Sequence, residues 1–494
     1  MNKLNENSKF CMKLGAGILA FSVFSIHAAV STVESPVTND KAPLSFEKAI
    51  RAAQKSDPWL TGNIHKQRAI ESMSTAVNSL PDPKMSIGLA NLPTNGFDFG
   101  QEGMTQAKVG ISQMFPRGDT LEIKSQQLKI ESEAFPFQRQ DREAKVAVTV
   151  GSLWLDAYRV QESIALIEKN RSLFEQLADV AEASYSSALG KTRQQDIVRA
   201  QLELTRLDDR LDKLGQQKNR YEGMLSQWLT TFLSANGSTE NDHSQSDELI
   251  TDFSLHNMVL SQQIPQIDLL KSNLVNSQEW LKAGELVHYF KSHPSVVAID
   301  KKVNATKTGV NLAKQKYQPE WGVSASYGYR SDDPMGSSRA DLFSVGVTFD
   351  LPLFTENRQD KEVQAAIFKT EAVKTEKLLL LRQLLGSYSS AKGRLLRLKD
   401  RQNLYKSKLL PQIHDQAEAS LTAYTNDDGD FAEVVRSRIA VLNTEIDELT
   451  IDVEEQKINL ELNYLFIGSI KTAMTKNKLS FTNSSQYAAI SGEK

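Results

Sequence analysis

Apolar residues recur along this chain in two rhythms. The first has a period of two. In Val323-Ser324-Ala325-Ser326-Tyr327-Gly328-Tyr329 and Phe343-Ser344-Val345-Gly346-Val347-Thr348-Phe349, odd positions are apolar or aromatic and even positions are small or polar. Weaker versions run through Met85-Ser86-Ile87-Gly88-Leu89 and Val109-Gly110-Ile111-Ser112. Alternation of this kind puts one apolar and one polar face on a strand. It predicts strands at about 84–92, 105–115, 321–330 and 341–350. The second rhythm is a heptad. Val435, Ile439, Leu442, Ile446, Leu449 and Val453 step by four and three, and Leu204, Leu207, Leu211 and Leu214 repeat the pattern. Such a seam is packing between long helices.

These elements occur twice. Lys55-Ser56-Asp57-Pro58 returns as Lys291-Ser292-His293-Pro294, and the same shift takes Pro83 to Pro319, Gly110 to Gly346 and Phe115-Pro116 to Leu351-Pro352. With three inserted residues it then takes Tyr185 to Tyr424 and Gly190 to Gly429. Each copy, 44–233 and 291–467, therefore reads as a lead-in helix, two strands and a long helical hairpin, with tips near 190 and 429. Residues 234–290 read as a connector. The stretch from Gln138 to Leu189 is about 52 residues, roughly 78 Å if helical throughout. Pro136 and Pro411 are expected to kink or interrupt their helices. Gly190 and Gly429 are expected to end helices in the left-handed conformation.

Strands of roughly 9–11 residues match a tilted transmembrane strand. Their polar faces of Ser, Gly and Thr, with tyrosines near a strand end, suit a wet lumen and an aromatic girdle. The loops 94–103 and 331–339, rich in Gly, Asp, Asn and Ser, suit the outer side. Four strands cannot close a barrel, and open edges cannot face lipid. Trimerisation into twelve strands follows if the strands lie in a membrane.

Composition supports this picture. Lys3, Lys9 and Lys13 precede an apolar run from Leu14 to Ile26 and the small residues Ala28 and Ala29. This order marks residues 1–29 as a secretory signal peptide, since the run is too short to span a bilayer as a helix. The single cysteine, Cys11, falls inside that segment, which removes disulfide, thiol and cysteine–metal chemistry from the mature chain and argues against an N-terminal lipid anchor. A net charge of −3 argues against a nucleic-acid surface. The polar tail 475–494 is expected to be disordered.

Chemical motifs are few. Gly190-Lys191-Thr192 has the end of a phosphate-binding loop, but Tyr185 replaces the first glycine and the setting is helix–turn–helix. His65, His243, His256, His288, His293 and His414 lack ligand spacing and are expected at the surface. No nucleophile elbow, metal cluster or phosphate loop is present, so neither an enzyme nor a bound cofactor is expected.

Over residues 44–467 the chain resembles the TolC-like outer-membrane efflux family. Leu80-Pro81-Asp82-Pro83-Lys84 with Asn91-Leu92-Pro93, Gln113-Met114-Phe115-Pro116, and Leu351-Pro352-Leu353-Phe354 before Asn357-Arg358-Gln359-Asp360-Lys361-Glu362 are similar to its heavy-metal branch, the CusC- and CzcC-like channels. The resemblance implies a mainly α chain with a transmembrane β-barrel. A homotrimer would form a twelve-stranded barrel in outer-membrane lipid, standing on a periplasmic α-helical barrel. It also implies two partners: a periplasmic adaptor protein and an inner-membrane pump of the resistance-nodulation-division (RND) type. The tips carrying Tyr185, Gly190 and Asp196, and Tyr424 and Gly429, would then be the docking and gating end, although the paired-glycine turn of the family is only partly present in the first tip. Asp427, Asp428 and Asp430 crowd the second tip, where a ring of carboxylates could favour cations or could simply suit an exposed turn and helix start. Two further readings remain open: a channel of the same fold serving drug efflux or type I protein secretion, and a periplasmic coiled-coil adaptor or scaffold without a pore.

Overall fold

The computed structural model describes residues 43–186, 193–233, 248–250, 258–426 and 428–468. The signal peptide with Cys11, the tip residues Gly190, Lys191, Thr192 and Asp427, His243, His256, the tail and part of the connector lie outside them.

The first copy opens with helices α1 (Phe46–Ser56) and α2 (Pro58–Ala76) and strands β1 (Lys84–Ala90) and β2 (Gln106–Phe115). Helices α3 (Thr120–Ser132), α4 (Phe135–Ser186) and α5 (Gln194–Leu229) follow. A small hairpin, β3 (Thr231–Leu233) at the end of the first copy with β4 (Glu248–Ile250) in the connector, comes next, then the short helices α6 (Ser272–Val275) and α7 (Ala283–Phe290). The second copy runs α8 (Pro294–Lys314), β5 (Trp321–Tyr329), β6 (Leu342–Phe349), α9 (Gln359–Leu404), a π turn at Tyr405–Leu409, α10 (Leu410–Thr425) and α11 (Phe431–Phe466).

The same start signal opens both copies. Asp57 caps α2 through Trp59 N (3.0 Å), His293 caps α8 through Ser295 N (3.3 Å), and a proline follows each cap. Proline at the first helical position costs nothing, because its missing N–H would have had no partner.

The four long strands form one antiparallel sheet in the order β1-β2-β5-β6. The β2–β5 pair, from Ala107 opposite Tyr329 to Phe115 opposite Trp321, joins the two copies. Each strand continues into a helix, and these helices pack in the same order, α2 on α3, α3 on α8 and α8 on α9. The sheet and the helical layer are thus one continuous wall, four elements wide.

Further along, α4, α5, α10 and α11 pack as the two long hairpins. Their seam is the predicted heptad: Val435, Leu442, Ile446 and Leu207 are buried, with Ile439, Leu204, Leu211 and Leu214 packed beside them. A second core surrounds Trp154 and Tyr158 and takes in α1 and the connector residues Met258 and Leu260. A third core joins α7, α9 and the end of α11 around Phe290, Tyr388 and Phe466.

Of the two outcomes expected at Pro136, the helix is interrupted and not kinked: the proline is the second residue of α4, just after the break that separates α3 from α4. One sequence expectation needs correction here. Gly429 is not left-handed, since the glycines with positive φ among the described residues are Gly118 and Gly336.

Candidate functional site

The sheet has two chemically different faces. In register, Met85, Ile87 and Leu89 on β1 neighbour Ile111, Val109 and Ala107 on β2. The rows continue from Ile111, Val109 and Ala107 to Ala325, Tyr327 and Tyr329 on β5, and from Ala325 and Tyr327 to Val345 and Phe343 on β6, with Val323 and Val347 paired beside them. This face is bare: Ile87 is 74% exposed, Val345 66% and Phe343 71%, and no hydrophobic core includes a residue of the sheet. The opposite face is small and polar, with Ser86, Gly110, Ser112, Ser324, Ser326, Ser344 and Thr348. A soluble sheet of this size would bury its apolar face. Among the described residues, no helix is long and apolar enough to cross a membrane.

Arginines clasp both ends of the sheet. At the foot, Arg117 donates to the carbonyls of Lys316 (3.0 Å) and Gln318 (3.2 Å) and pairs with Asp350. Gly118 beside it has φ +45°, and a Cβ there would run into the Gln315 side chain. At the loop end, Arg330 reaches the Gly103 carbonyl (3.1 Å) and Arg339 the Gly100 carbonyl (3.2 Å), while Phe99 stacks on Tyr329. These bonds tie loop 91–105 to loop 330–341. Tyr327 and Asp341 are hydrogen bonded beside them.

At the helical tips the predicted residues take different places. Tyr185 is half exposed near the end of α4, whereas Tyr424 packs against Phe431 with ring centroids 5.6 Å apart. Asp196 is buried, and its carboxylate accepts from Arg193 N (3.0 Å), which closes the first turn of α5. Asp430 caps α11 by accepting from Ala432 N (3.2 Å), and Asp428 is exposed in the turn. Gly429 is required by close approach, because a Cβ on it would lie 2.5 Å from Tyr424 N.

Between wall and hairpins sits a buried polar group that sequence reasoning missed. His293 is fully buried, which corrects the expectation that the mature histidines lie at the surface; His65, His288 and His414 do. Its Nδ1 lies 2.7 Å from Ser295 Oγ and its Nε2 3.1 Å from the Tyr464 carbonyl. The Tyr464 hydroxyl donates to Asp141 (2.8 Å), which pairs with Lys145 (2.7 Å). Burial lowers the His293 pKa, the Asp141 charge opposes this and Lys145 adds to it. Burial also pushes the Tyr464 hydroxyl up. The signal was available in the repeat, which aligns His293 with Asp57 ahead of a proline, the place of a helix cap. Lys392 was missed as well. It is fully buried, donates to the carbonyls of Leu274 (3.1 Å) and Glu279 (2.7 Å), and lies 5.2 Å from the Trp280 ring. Among the described residues, no cluster of three or more His, Cys, Asp or Glu side chains could hold a metal.

Solved structures with the same arrangement exist. The Campylobacter jejuni CmeC outer membrane channel superposes with a TM-score of 0.65 at 12% identity, covering 86% of this chain and 85% of that one. This chain has the fold of outer-membrane channels. CusC, described in terms of transmembrane channel formation, matches with a TM-score of 0.64 at 12% identity over 85% of this chain and 91% of its own. The open-state MtrE outer membrane channel of Neisseria gonorrhoeae matches with a TM-score of 0.58 at 12% identity, over 86% and 88%. No family model and no curated protein sequence matches the chain.

Proposed function

We propose that this chain is one protomer of a trimeric outer-membrane exit duct in a tripartite efflux system. One observation carries this reading: the wall β1-β2-β5-β6 has a bare apolar face and continues, in the same order, into a helical layer. Three such walls would close twelve strands in the outer membrane above a periplasmic helical barrel. The periplasmic adaptor and the inner-membrane RND-type pump would meet the duct from the tip side. A coiled-coil adaptor without a pore would have no use for an uncovered apolar sheet.

Heavy-metal cations are the proposed cargo, on the strength of the short motifs around 80–93, 113–116 and 351–362. Asp427, Asp428 and Asp430 are proposed to ring the tip and favour cations there. Tyr185, Gly190, Asp196, Tyr424 and Gly429 mark the proposed docking end. Asp196 and Asp430 also serve as caps, and Asp428 is exposed in the turn, so of the described gate candidates Asp428 is the one without a capping duty.

Three experiments test this. Detergent-extracted protein should run as a trimer by native mass spectrometry and form ion-conducting pores in planar bilayers. A monomer soluble without detergent would overturn the reading. Deletion of the gene should lower tolerance to one or more of copper, silver, cobalt, zinc and cadmium. If metal tolerance is unchanged but drug tolerance or protein export falls, the cargo belongs to the alternative system of the same fold. Replacing the three tip aspartates by alanine should change single-channel conductance or cation preference.

A further inference from the structure

The polar face of the sheet carries its charge unevenly. On β5 the residues of that face are Gly322, Ser324, Ser326 and Gly328, and on β6 they are Leu342, Ser344, Gly346 and Thr348. None of these ionises. On β1 the face holds Lys84, Ser86, Gly88 and Ala90, and on β2 it holds Gln106, Lys108, Gly110, Ser112 and Met114. Lys84, the first residue of β1, stands opposite Ser112 toward the foot of the sheet. Lys108 stands within the sheet, two residues from the loop end of β2, and is the charged side chain of the polar face nearest that end.

Lys108 is exposed and, among the described residues, has no hydrogen-bond or ion-pair partner. Its in-register neighbours are glycines on both sides, Gly88 on β1 and Gly328 on β5. The space over Gly88 is open, while the uncharged Gln106 side chain lies over Gly328. No carboxylate of β1, β2, β5 or β6 faces it. The acids of the adjoining loops, Asp98, Glu102, Asp332 and Asp333, lie beyond the strand ends, and Asp341 is committed to Tyr327 and Arg330 N.

We propose that Lys108 sets the ion preference of the duct at its outer end, favouring small anions over cations. The inference rests on the pore reading above: if the apolar face meets lipid, the polar face lines the lumen, and a three-fold axis brings three copies of Lys108 to one height. A ring of fixed cations in a confined passage raises the local concentration of anions and repels cations. The barrel would then carry a charge opposite to that of the acidic tip. Discrimination in favour of a cationic cargo would reside in the tip and the pump, and not in the barrel.

Planar-bilayer recordings under a potassium chloride gradient test this with the full chain and with K108R, K108A and K108E. The chloride-to-potassium permeability ratio should hold in K108R, fall in K108A and fall further in K108E, by about twofold or more between the extremes. The difference between wild type and K108A should be largest in dilute salt and vanish near 1 M, as the screening length drops from about 30 Å at 0.01 M to about 3 Å. Conducting pores with one unchanged ratio in all four proteins would overturn the assignment while leaving the pore reading intact. Absence of any pore in the wild type would remove both. Trimer bands on native gels keep assembly separate from selectivity, and if K108E does not assemble, K108A and its salt dependence still decide the outcome.

Discussion

At residue 293 the second copy places an imidazole where the first places the carboxylate of Asp57. Both cap a helix that begins with proline, but their surroundings differ: Asp57 is held by Arg142 at 2.7 Å, while His293 is buried beside Tyr464, with Asp141 and Lys145 close by. A buried histidine with a lowered pKa stays neutral in the folded state after its unfolded counterpart has taken up a proton. The unfolded chain then binds more protons, so stability is full above about pH 6.5 and declines as the pH falls below it. His293→Asn keeps a neutral capping side chain without a titrating group. The melting temperature of the detergent-solubilised H293N protein should therefore fall less between about pH 7 and about pH 5 than that of the wild type. An unchanged decline would place its origin elsewhere. Gly429 offers a second check. Its Cβ position is occupied by the backbone of residues 423 and 424, so Gly429→Ala must shift the turn. A loss of about 1–3 kcal/mol, typical of overpacking, is expected in urea unfolding, with earlier proteolysis at the second tip.

Among the elements, strand faces and heptad seams were legible in the sequence because both depend on short periods of side-chain chemistry. The breaks between helices were less so. Proline announces an irregularity without saying which way it will be resolved. Pro136 falls in the first turn of α4, where no donor is needed, whereas Pro411 follows the π turn Tyr405–Leu409. That turn widens the helix where the proline ring would press on the carbonyl of Ser407, four residues back. The β3–β4 hairpin was not anticipated, since three-residue strands leave too short a pattern to read. The cap at Asp196 and the close approach at Gly429 depend on backbone geometry, so residue type alone suggested other roles for both. The elements also make predictions. Leu442 is fully buried in the hairpin seam, and Leu442→Ala should cost about 2–5 kcal/mol by chemical denaturation. In β6, Val345→Lys puts a charge on the apolar face and should cost about 2–4 kcal/mol near a bilayer midplane, lowering the amount of assembled protein in outer-membrane fractions. Ser344→Lys, one residue away on the polar face, should assemble at close to the normal level. Equal behaviour of the two would argue against lipid on the apolar side.

For the whole molecule, the edges of the wall decide what a single chain can do. β1 and β6 each leave a row of backbone donors and acceptors unpaired, which lipid cannot satisfy. Because the four strands alternate in direction, β6 of one copy can meet β1 of the next as another antiparallel pair, and the ring can close without a change of pattern. The helical layer beneath has matching edges. On α9, Ile367, Phe368, Leu378 and Leu379 are all exposed, and the two pairs recur eleven residues apart, about three helical turns. On α2, Ile64 and Met73 are exposed. These side chains would face water whether they pointed inward or outward in a periplasmic tube, so burial against a neighbour is the arrangement that removes them from it. In the proposed trimer, a heterologous contact of α9 on α2, repeated three times, would be the closed solution. The double substitution Phe368→Asp with Leu379→Asp should therefore abolish the trimer in detergent, since large apolar anchors at interfaces are commonly worth about 2 kcal/mol or more each. Far-UV circular dichroism of the resulting monomer should keep its helical signal, because neither side chain belongs to a core within the chain. A trimer that survives both aspartates would mean that α9 does not face a neighbouring protomer.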